Sequence, residues 1–429
     1  MRRILAPALL LTAFAALPAY PSGFAFFEQG AKATAMGGAF AATADDPSAI
    51  WYNVAGLAYQ RALGATFGAT FVTFGATDFE GDPSSPYPGG NVREQYESHV
   101  FIVPNMYAVV PIGENATFAI GQFTPVALRS DWENPGRYSG RFISQDANIK
   151  SLSIQPSFAM KMADDKFAFG VGVEYRTVHL SLEQNLPRFN PFTGRIADIA
   201  HARLNSDWNS GLGWNVGLMY RPNSDWSIGA QHRAGLDIDF EGDANFTQIS
   251  TGNPQLDAII ATQLPPDQAM EATIDFPSMT SVGIATTKIP NWRVELDVVQ
   301  HGWAVFDELV VEFLETPQNN LVKTENWEDS LSYRIGGSRP LTEAWELRLG
   351  AVYDETPQPV ESMGPLLPDS DRAGVSFGLG WKRGNWNVDV TEFALFFMER
   401  GTEGHNGDDY NGTYQTNANL FSVNVGYTF

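Results

Sequence analysis

The sequence predicts an all-β fold: a 14-stranded antiparallel transmembrane β-barrel with an N-terminal hatch (plug) inside the lumen. Three observations predict it. Apolar residues alternate with small or polar ones in segments of about ten residues, the period-2 signature of a barrel wall. Connections alternate between short turns and long, acidic, Gly/Pro-rich loops. The chain begins like an exported one, and no later run of about 18 apolar residues offers a spanning helix.

Taken in order, Met1-Arg2-Arg3 is a basic start and Ile4 to Leu17 is an apolar run. Ala16-Leu17-Pro18-Ala19 supplies small residues for cleavage, so residues 1–19 read as a signal peptide. Residues 20–58 are rich in Gly and Ala and have no helix or strand period. A wide barrel must be filled, and irregular backbone is tolerated at membrane depth only when buried in protein or facing water. This segment is therefore expected to be the hatch, and residues 59–429 the barrel.

The expected strands are 59–74, 98–110, 116–128, 147–163, 166–182, 206–221, 226–241, 271–287, 292–314, 327–338, 344–354, 371–383, 386–398 and 416–429. Phe167, Phe169, Val171, Val173 and Tyr175, for example, alternate with Ala168, Gly170, Gly172 and Glu174. Short turns fall at 112–115, 163–166, 222–225, 289–291 and 383–385, and long loops at 75–98, 129–146, 183–205, 242–270, 316–326, 355–370 and 399–415. Trp214, Trp226, Trp345, Trp381 and Trp386 sit near strand ends, the headgroup level that amphipathic rings favour.

Composition narrows the function. The net charge of −22 excludes nucleic acid as a partner. With no cysteine, thiol chemistry and cysteine-zinc sites are excluded. The six histidines are scattered without metal-ligand spacing, and no cofactor is expected. Gly374-Val375-Ser376-Phe377-Gly378 fits a hydrolase pattern, but that motif needs a strand-to-helix elbow and this one lies inside a strand.

Three features mark the expected ligand path, and one marks contact with the surrounding lipid. The loop residues Leu186, Phe189, Phe192, Ile196 and Ile199, with Leu256, Ile259, Ile260 and Leu264, are apolar where solvated loops are not, which suggests a ligand groove. Gly121 and Pro125 in the third strand suggest broken pairing and a lateral gap. By parity Arg176, Arg233, Arg334 and Arg348 face inward, where each is either a carboxylate partner for a ligand or a counter-ion to a lumen Glu or Asp. Asp237 to Asp243 form an acidic strand end suited to divalent bridging to lipopolysaccharide.

The hatch stretch has a recognisable pattern. Ser22-Gly23-Phe24, Gly37-Gly38-Ala39, Ala44-Asp45-Asp46-Pro47-Ser48 and Tyr52-Asn53-Val54-Ala55-Gly56-Leu57 are followed by Thr124-Pro125, Trp132, Gly136-Arg137-Tyr138, Trp303 to Phe313, Asn326 to Ser330, Leu347 to Pro357 and Leu367 to Arg372. In that order they resemble the outer-membrane long-chain fatty acid/hydrocarbon transporter family of the FadL/TodX type. The resemblance implies a monomeric outer-membrane protein of Gram-negative bacteria, installed by the barrel-assembly machinery among lipid and lipopolysaccharide. It also implies passive uptake of a hydrophobic small molecule, a fatty acid or a hydrocarbon, through a groove, a lumen pocket and a gap at the third strand. The hatch residues Phe24, Asn53, Val54 and Ala55 fall in that pattern. Val54 stands where the family usually has proline, so a less rigid hatch is expected there. An outer-membrane lipase or a general porin fits less well.

Overall fold

A strand that is apolar on one face and small or polar on the other is stable when its sheet closes and its greasy face meets lipid. The computed structural model describes residues 23–74, 77–83, 90–162 and 164–429; the expected leader at 1–19 lies outside the described residues. Among those residues fourteen antiparallel strands form the wall. The first five are Gly64–Phe74, Val100–Ile112, a third strand broken into Ala116–Phe123 and Ala127–Asp131, Asp146–Met162 and Phe167–Asn190. The next four are also broken: Arg195–Ser206 with Asn209–Asn223, Trp226–Arg233 with Leu236–Gln248, Gln268–Phe276 with Ser278–Thr286, and Arg293–Gly302 with Glu308–Phe313. The last five are Ser330–Pro340, Trp345–Asp354, Arg372–Arg383, Trp386–Phe397 and Asn417–Thr428. The first strand pairs with the fourteenth from Gly64↔Thr428 to Phe74↔Ala418, so the sheet closes on itself.

Two expectations need correction. Residues 183–205 are not a loop. The fifth and sixth strands run on as a hairpin, with Phe189 opposite Ile196 and a register shift between Leu186 and Pro187. The loops 75–98 and 399–415 also carry strand: Asp78–Gly81, Arg93–Gln95, Arg400–Gly401 and Gly412–Gln415 make a small second sheet. Its apolar side closes on Phe79, Trp132, Tyr138, Met363, Tyr410 and Tyr414 at the long-loop end.

The outward-apolar rule holds throughout the lower wall, and on the second strand it extends to Val100 and Ile102 at the long-loop end. Val171, Leu212, Leu218 and Phe377 are outward and exposed in the lower wall, while Ser153, Gln155 and Asn215 face in. Toward the long loops the faces exchange in the sixth to eighth strands. Leu236, Ile238 and Phe240 are buried inside, while Asp237, Asp239 and Glu241 are exposed. The breaks make the exchange possible. Arg233 and Leu236 both point inward across two intervening residues, as do Ser206 and Asn209, and Phe276 and Met279. An irregular step of this kind shifts the parity of everything beyond it.

Candidate functional site

The hatch fills the lower lumen. It is built from short pieces, the helices Ala31–Ala35 and Ala49–Tyr52 and the 3-10 turn Val54–Tyr59, joined by tight bends. Met36, Phe40, Ile50, Val54 and Leu57 are wholly buried. The wall admits it through inward glycines. A Cβ on Gly229 would lie 1.9 Å from the Ala41 carbonyl oxygen, and one on Gly350 would lie 2.0 Å from the Gly37 nitrogen. Gly170, Gly217, Gly336 and Gly378 meet the hatch in the same way. Gly121 also belongs here: its Cβ position lies 3.1 Å from Ile50 Cγ2.

Polar side chains then fix the plug. The backbone N–H groups of Phe40 and Ala41 both donate to Asp297 Oδ2 at 2.8 Å, and that of Ala42 donates to Glu295 Oε1 at 2.6 Å. Ser376 Oγ accepts from Gly37 N at 3.0 Å and donates to the Ala35 carbonyl at 2.9 Å, which is the work done by the serine of the hydrolase-like pattern. Asn53 Nδ2 donates to the carbonyls of Ala41 and Leu218 at 2.7 and 3.1 Å, and its Oδ1 accepts from Ala55 N. Val54 N donates to Gln231 Oε1 at 2.8 Å. A proline has no N–H to give, so the residue expected to loosen the hatch ties it to the seventh strand. Glu28 of the hatch is buried, which raises its carboxyl above the usual range although Arg334 and Arg372 oppose the rise.

All four expected arginines face inward, and all are held by protein carboxylates. Arg176 Nη2 is 2.8 Å from Glu174, which Arg233 also contacts. Arg334 Nη2 is 3.0 Å from Asp354. Arg348 bridges Glu346, at 2.7 Å, and Asp389. Arg334 also donates to the Gly37 carbonyl at 3.0 Å and lies over the Phe27 ring. Arg233 lies over Trp51. Sequence reasoning missed Glu295 and Asp297: alternation marks them as inward polar residues but not as hatch ligands.

Above Arg176, whose guanidinium lies 5.7 Å from the Phe276 ring centroid, the lumen turns apolar. Ile149, Val178, Leu180, Ile238, Ile274 and Val311 line one continuous cup. Phe24, from the start of the hatch, enters it and meets Trp303, Phe306 and Trp327 at ring-centroid distances of 4.6, 5.8 and 5.7 Å. Lys323 borders the cup and pairs with Glu325 at 3.0 Å.

Beside the cup the wall loses a stretch of pairing. The second and third strands are bonded from Ile112↔Ala116 to Met106↔Gln122. Beyond that, residues 100–104 of the second strand pair with the first, and Ala127–Asp131 pairs with the fourth. Phe26 N donates instead to the Pro125 carbonyl at 2.9 Å, and Ala127 N to the Phe24 carbonyl. Contact resumes above, at the Tyr96↔Trp132 bridge and the 2.8 Å bond from Glu97 N to the Asp131 carbonyl. The result is a stretch of wall without pairing between the second and third strands, bounded above and below. Pro125 lies in it, whereas Gly121 lies below it and remains paired.

The expected groove residues divide. Phe189, Phe192, Ile196 and Ile259 are exposed, Leu256 and Ile260 are buried, and Leu186, Ile199 and Leu264 are half-buried. Leu256, Ile259 and Ile260 lie on the helix Pro254–Ala261, capped by Asn253. Ile249 N donates to the Ile199 carbonyl at 2.8 Å, and Arg188 bonds Gln263, so the hairpin and the helical loop stand together.

These features define a class: a plugged outer-membrane β-barrel with an apolar upper lumen. The chain belongs to the family described as outer membrane protein transport protein (OMPP1/FadL/TodX), which it matches over residues 12–429. It is 23% identical over 350 residues to the long-chain fatty acid transport protein of Escherichia coli O6:H1, covering 76% of this chain and 77% of that one. It is 25% identical to a 47 kDa outer membrane protein of Pasteurella multocida, with 98% of both chains covered. Among solved structures, a Pseudomonas aeruginosa FadL homologue superposes with a TM-score of 0.83 at 20% identity, covering 95% of this chain and 100% of that one. The P. putida toluene transporter TodX superposes with a TM-score of 0.73 at 17% identity, covering 94% and 99%. These structural likenesses carry the fold.

Proposed function

We propose that this protein admits hydrophobic compounds, long-chain fatty acids first, passively across the bacterial outer membrane, with no catalytic step. The observation that carries the reading is a greasy cup closed below by a firmly bonded plug and flanked by a stretch of third-strand wall without β-pairing, which we read as a lateral window. Phe189, Phe192, Ile196 and Ile259 at the hairpin and helix capture the ligand from water. The cup takes it up, with about 0.8 kcal/mol gained per CH₂ buried. The window at Pro125 releases it sideways, so the plug need not leave. The E. coli relative's name supports the fatty-acid assignment.

A second reading, a channel for neutral hydrocarbons, has its own support: each of Arg176, Arg233, Arg334 and Arg348 already has a carboxylate partner. The test is uptake of labelled oleate and of toluene by a deletion strain carrying the wild-type gene or Pro125→Val. The lateral route predicts that the variant lowers uptake while the barrel still folds. Normal uptake by Pro125→Val removes the window from the mechanism, and the preferred substrate of the wild type decides between the two readings.

A further inference from the structure

The outer wall carries a second concavity, distinct from the lumen. It has a volume of about 600 Å³ and lies on the upper parts of the third to sixth strands, overhung by Pro135, Gly136 and Ile249. Parity puts its lining outside the barrel. Asn148 and Lys150 alternate with buried Ala147 and Ile149, His179 with buried Val178 and Leu180, and Arg203 with buried Ala202 and Leu204. Directly below, on the same strands, the outward residues are Leu152, Ile154, Val173, Tyr175 and Leu212, all exposed. The cavity therefore sits where hydrocarbon gives way to headgroups.

Its chemistry is unusual for a chain of net charge −22. Lys150 stands directly across from His179, and Arg129 and Arg203 complete the cationic lining. Each lining carboxylate faces a cation or histidine: Asp131 meets Arg129 and His99, both at 2.9 Å, Glu183 meets Arg203 and His201, both at 3.3 Å, and Asp146 lies 3.8 Å from Arg129, which leaves Lys150 as the lining cation outside these pairs. Two lining nitrogens, Arg129 Nε and His179 Nδ1, are buried without a hydrogen-bond partner, Arg129 Nε facing Asp146 only at 3.8 Å. A buried donor without a partner is costly and is satisfied by water or ligand. The next strands present the opposite surface, with Asp237, Asp239, Glu241 and Glu271 exposed and Asp275 half-buried beside them.

We propose that this cavity binds the phosphorylated sugar headgroup of an outer-leaflet glycolipid, the lipid A part of lipopolysaccharide. Phosphate oxygens accept from Lys150, Arg203, Arg129 and His179, and the acyl chains run down over Leu152, Ile154 and Tyr175. Charge-assisted bonds to phosphate supply the selectivity, and the greasy belt below supplies area. The site borders the window, since Arg129 and Asp131 belong to the third strand's upper segment.

The test uses the full-length protein in detergent and native mass spectrometry with bis-phosphorylated lipid A, its dephosphorylated form and inorganic phosphate. The site predicts retention of bis-phosphorylated lipid A and a loss of about tenfold in affinity on dephosphorylation. The double variant Lys150→Glu, Arg203→Glu should show a similar loss. If that chain does not reach the folded barrel, Lys150→Gln with Arg203→Gln carries the same comparison. Equal binding of the two lipid A forms, unchanged binding by either variant, or inorganic phosphate binding as tightly as lipid A would overturn the assignment.

Discussion

The lower and upper halves of the lumen are built by the same strands and work by opposite rules. Below Arg176 the inner wall is polar and rich in glycine, and its partner is the hatch backbone, whose N–H groups donate directed hydrogen bonds to Asp297, Glu295, Ser376 and Gln231. Above it the inner wall is Ile, Leu, Val and Phe in mutual contact. Hydrogen bonds are directional and select one geometry. Apolar attraction is non-directional and scales with area. The lower half is therefore suited to hold one fixed partner, and the upper half to accept flexible molecules of varied shape. The breaks in the sixth to eighth strands let one chain carry both rules, because each resets which residues face inward.

The sharpest way to break this contrast is to deny the hatch its close approach. In a Gly229→Val, Gly350→Val double variant the new side chains occupy space now held by hatch backbone, at 1.9 and 2.0 Å from Ala41 and Gly37 atoms. The wall is expected to close as before, with the hatch displaced and its residues cut by added protease. Single-channel conductance in planar bilayers should rise by about tenfold or more as the wide lumen opens. Wild-type conductance with a protease-resistant hatch would mean the plug is not held by backbone contact.

Removing the carboxylate clamp is expected to act more gently. Asp297→Ala strands the amides of Phe40 and Ala41 inside protein, each a loss of about 1–3 kcal/mol. Hydrogen exchange at Phe40 to Ala42 should rise by roughly ten- to a hundredfold, with exchange at Phe24 to Phe26 unchanged. Equal acceleration along the whole hatch would show it to be one cooperative body rather than a segment pinned at that site.

The upper half answers to a different readout. Ile238→Ser places a hydroxyl in the cup wall and removes apolar area; affinity for oleate, followed by tryptophan fluorescence, should fall by about tenfold, in line with the burial of one aliphatic side chain. Conductance should not change, because Ile238 lies above the plug and has no hatch bond. A variant that altered conductance and left affinity intact would reverse the roles given to the two halves.

Much of the wall was legible in the sequence because period 2 is a local property: Val171 and Leu212 face out, and Glu174 and Arg176 face in, as alternation demands. The exchange of faces beyond Arg233 was not. Asp237-Ile238-Asp239-Phe240 alternates as well as any membrane strand, and only the step across Ala234-Gly235 decides which side is inside. The hairpin at 183–205 was hidden by Pro187 and Pro191, which read as breakers, although the register shift at Leu186/Pro187 accommodates the first. The bonds donated by Phe40 and Ala41 to Asp297 join residues more than 250 positions apart, and nothing in either local stretch announces the other.

The smallest expected effect lies where the hatch meets water at the short-turn end. Asp45 is partly exposed and paired with Lys32 Nζ at 2.7 Å and Arg293 Nη1 at 2.9 Å. Burial alone would raise its carboxyl, but Lys32, by charge and hydrogen bond, and Arg293 outweigh burial and hold it at about 2 against an ordinary 3.8. A carboxyl whose folded value is depressed stabilises the folded state above its unfolded value and loses that contribution as the pH falls toward the folded one. The hatch should therefore loosen between about pH 4 and pH 2. Arg293→Ala should narrow that window from below and cost under about 1 kcal/mol at neutral pH, because the pair is half in water. Exchange at the amides around Asp45, measured against pH in both proteins, checks this. An identical acid limb in the variant would assign the hold on Asp45 to Lys32 alone, and with it the hatch's attachment at this end to a contact within the hatch rather than to the wall.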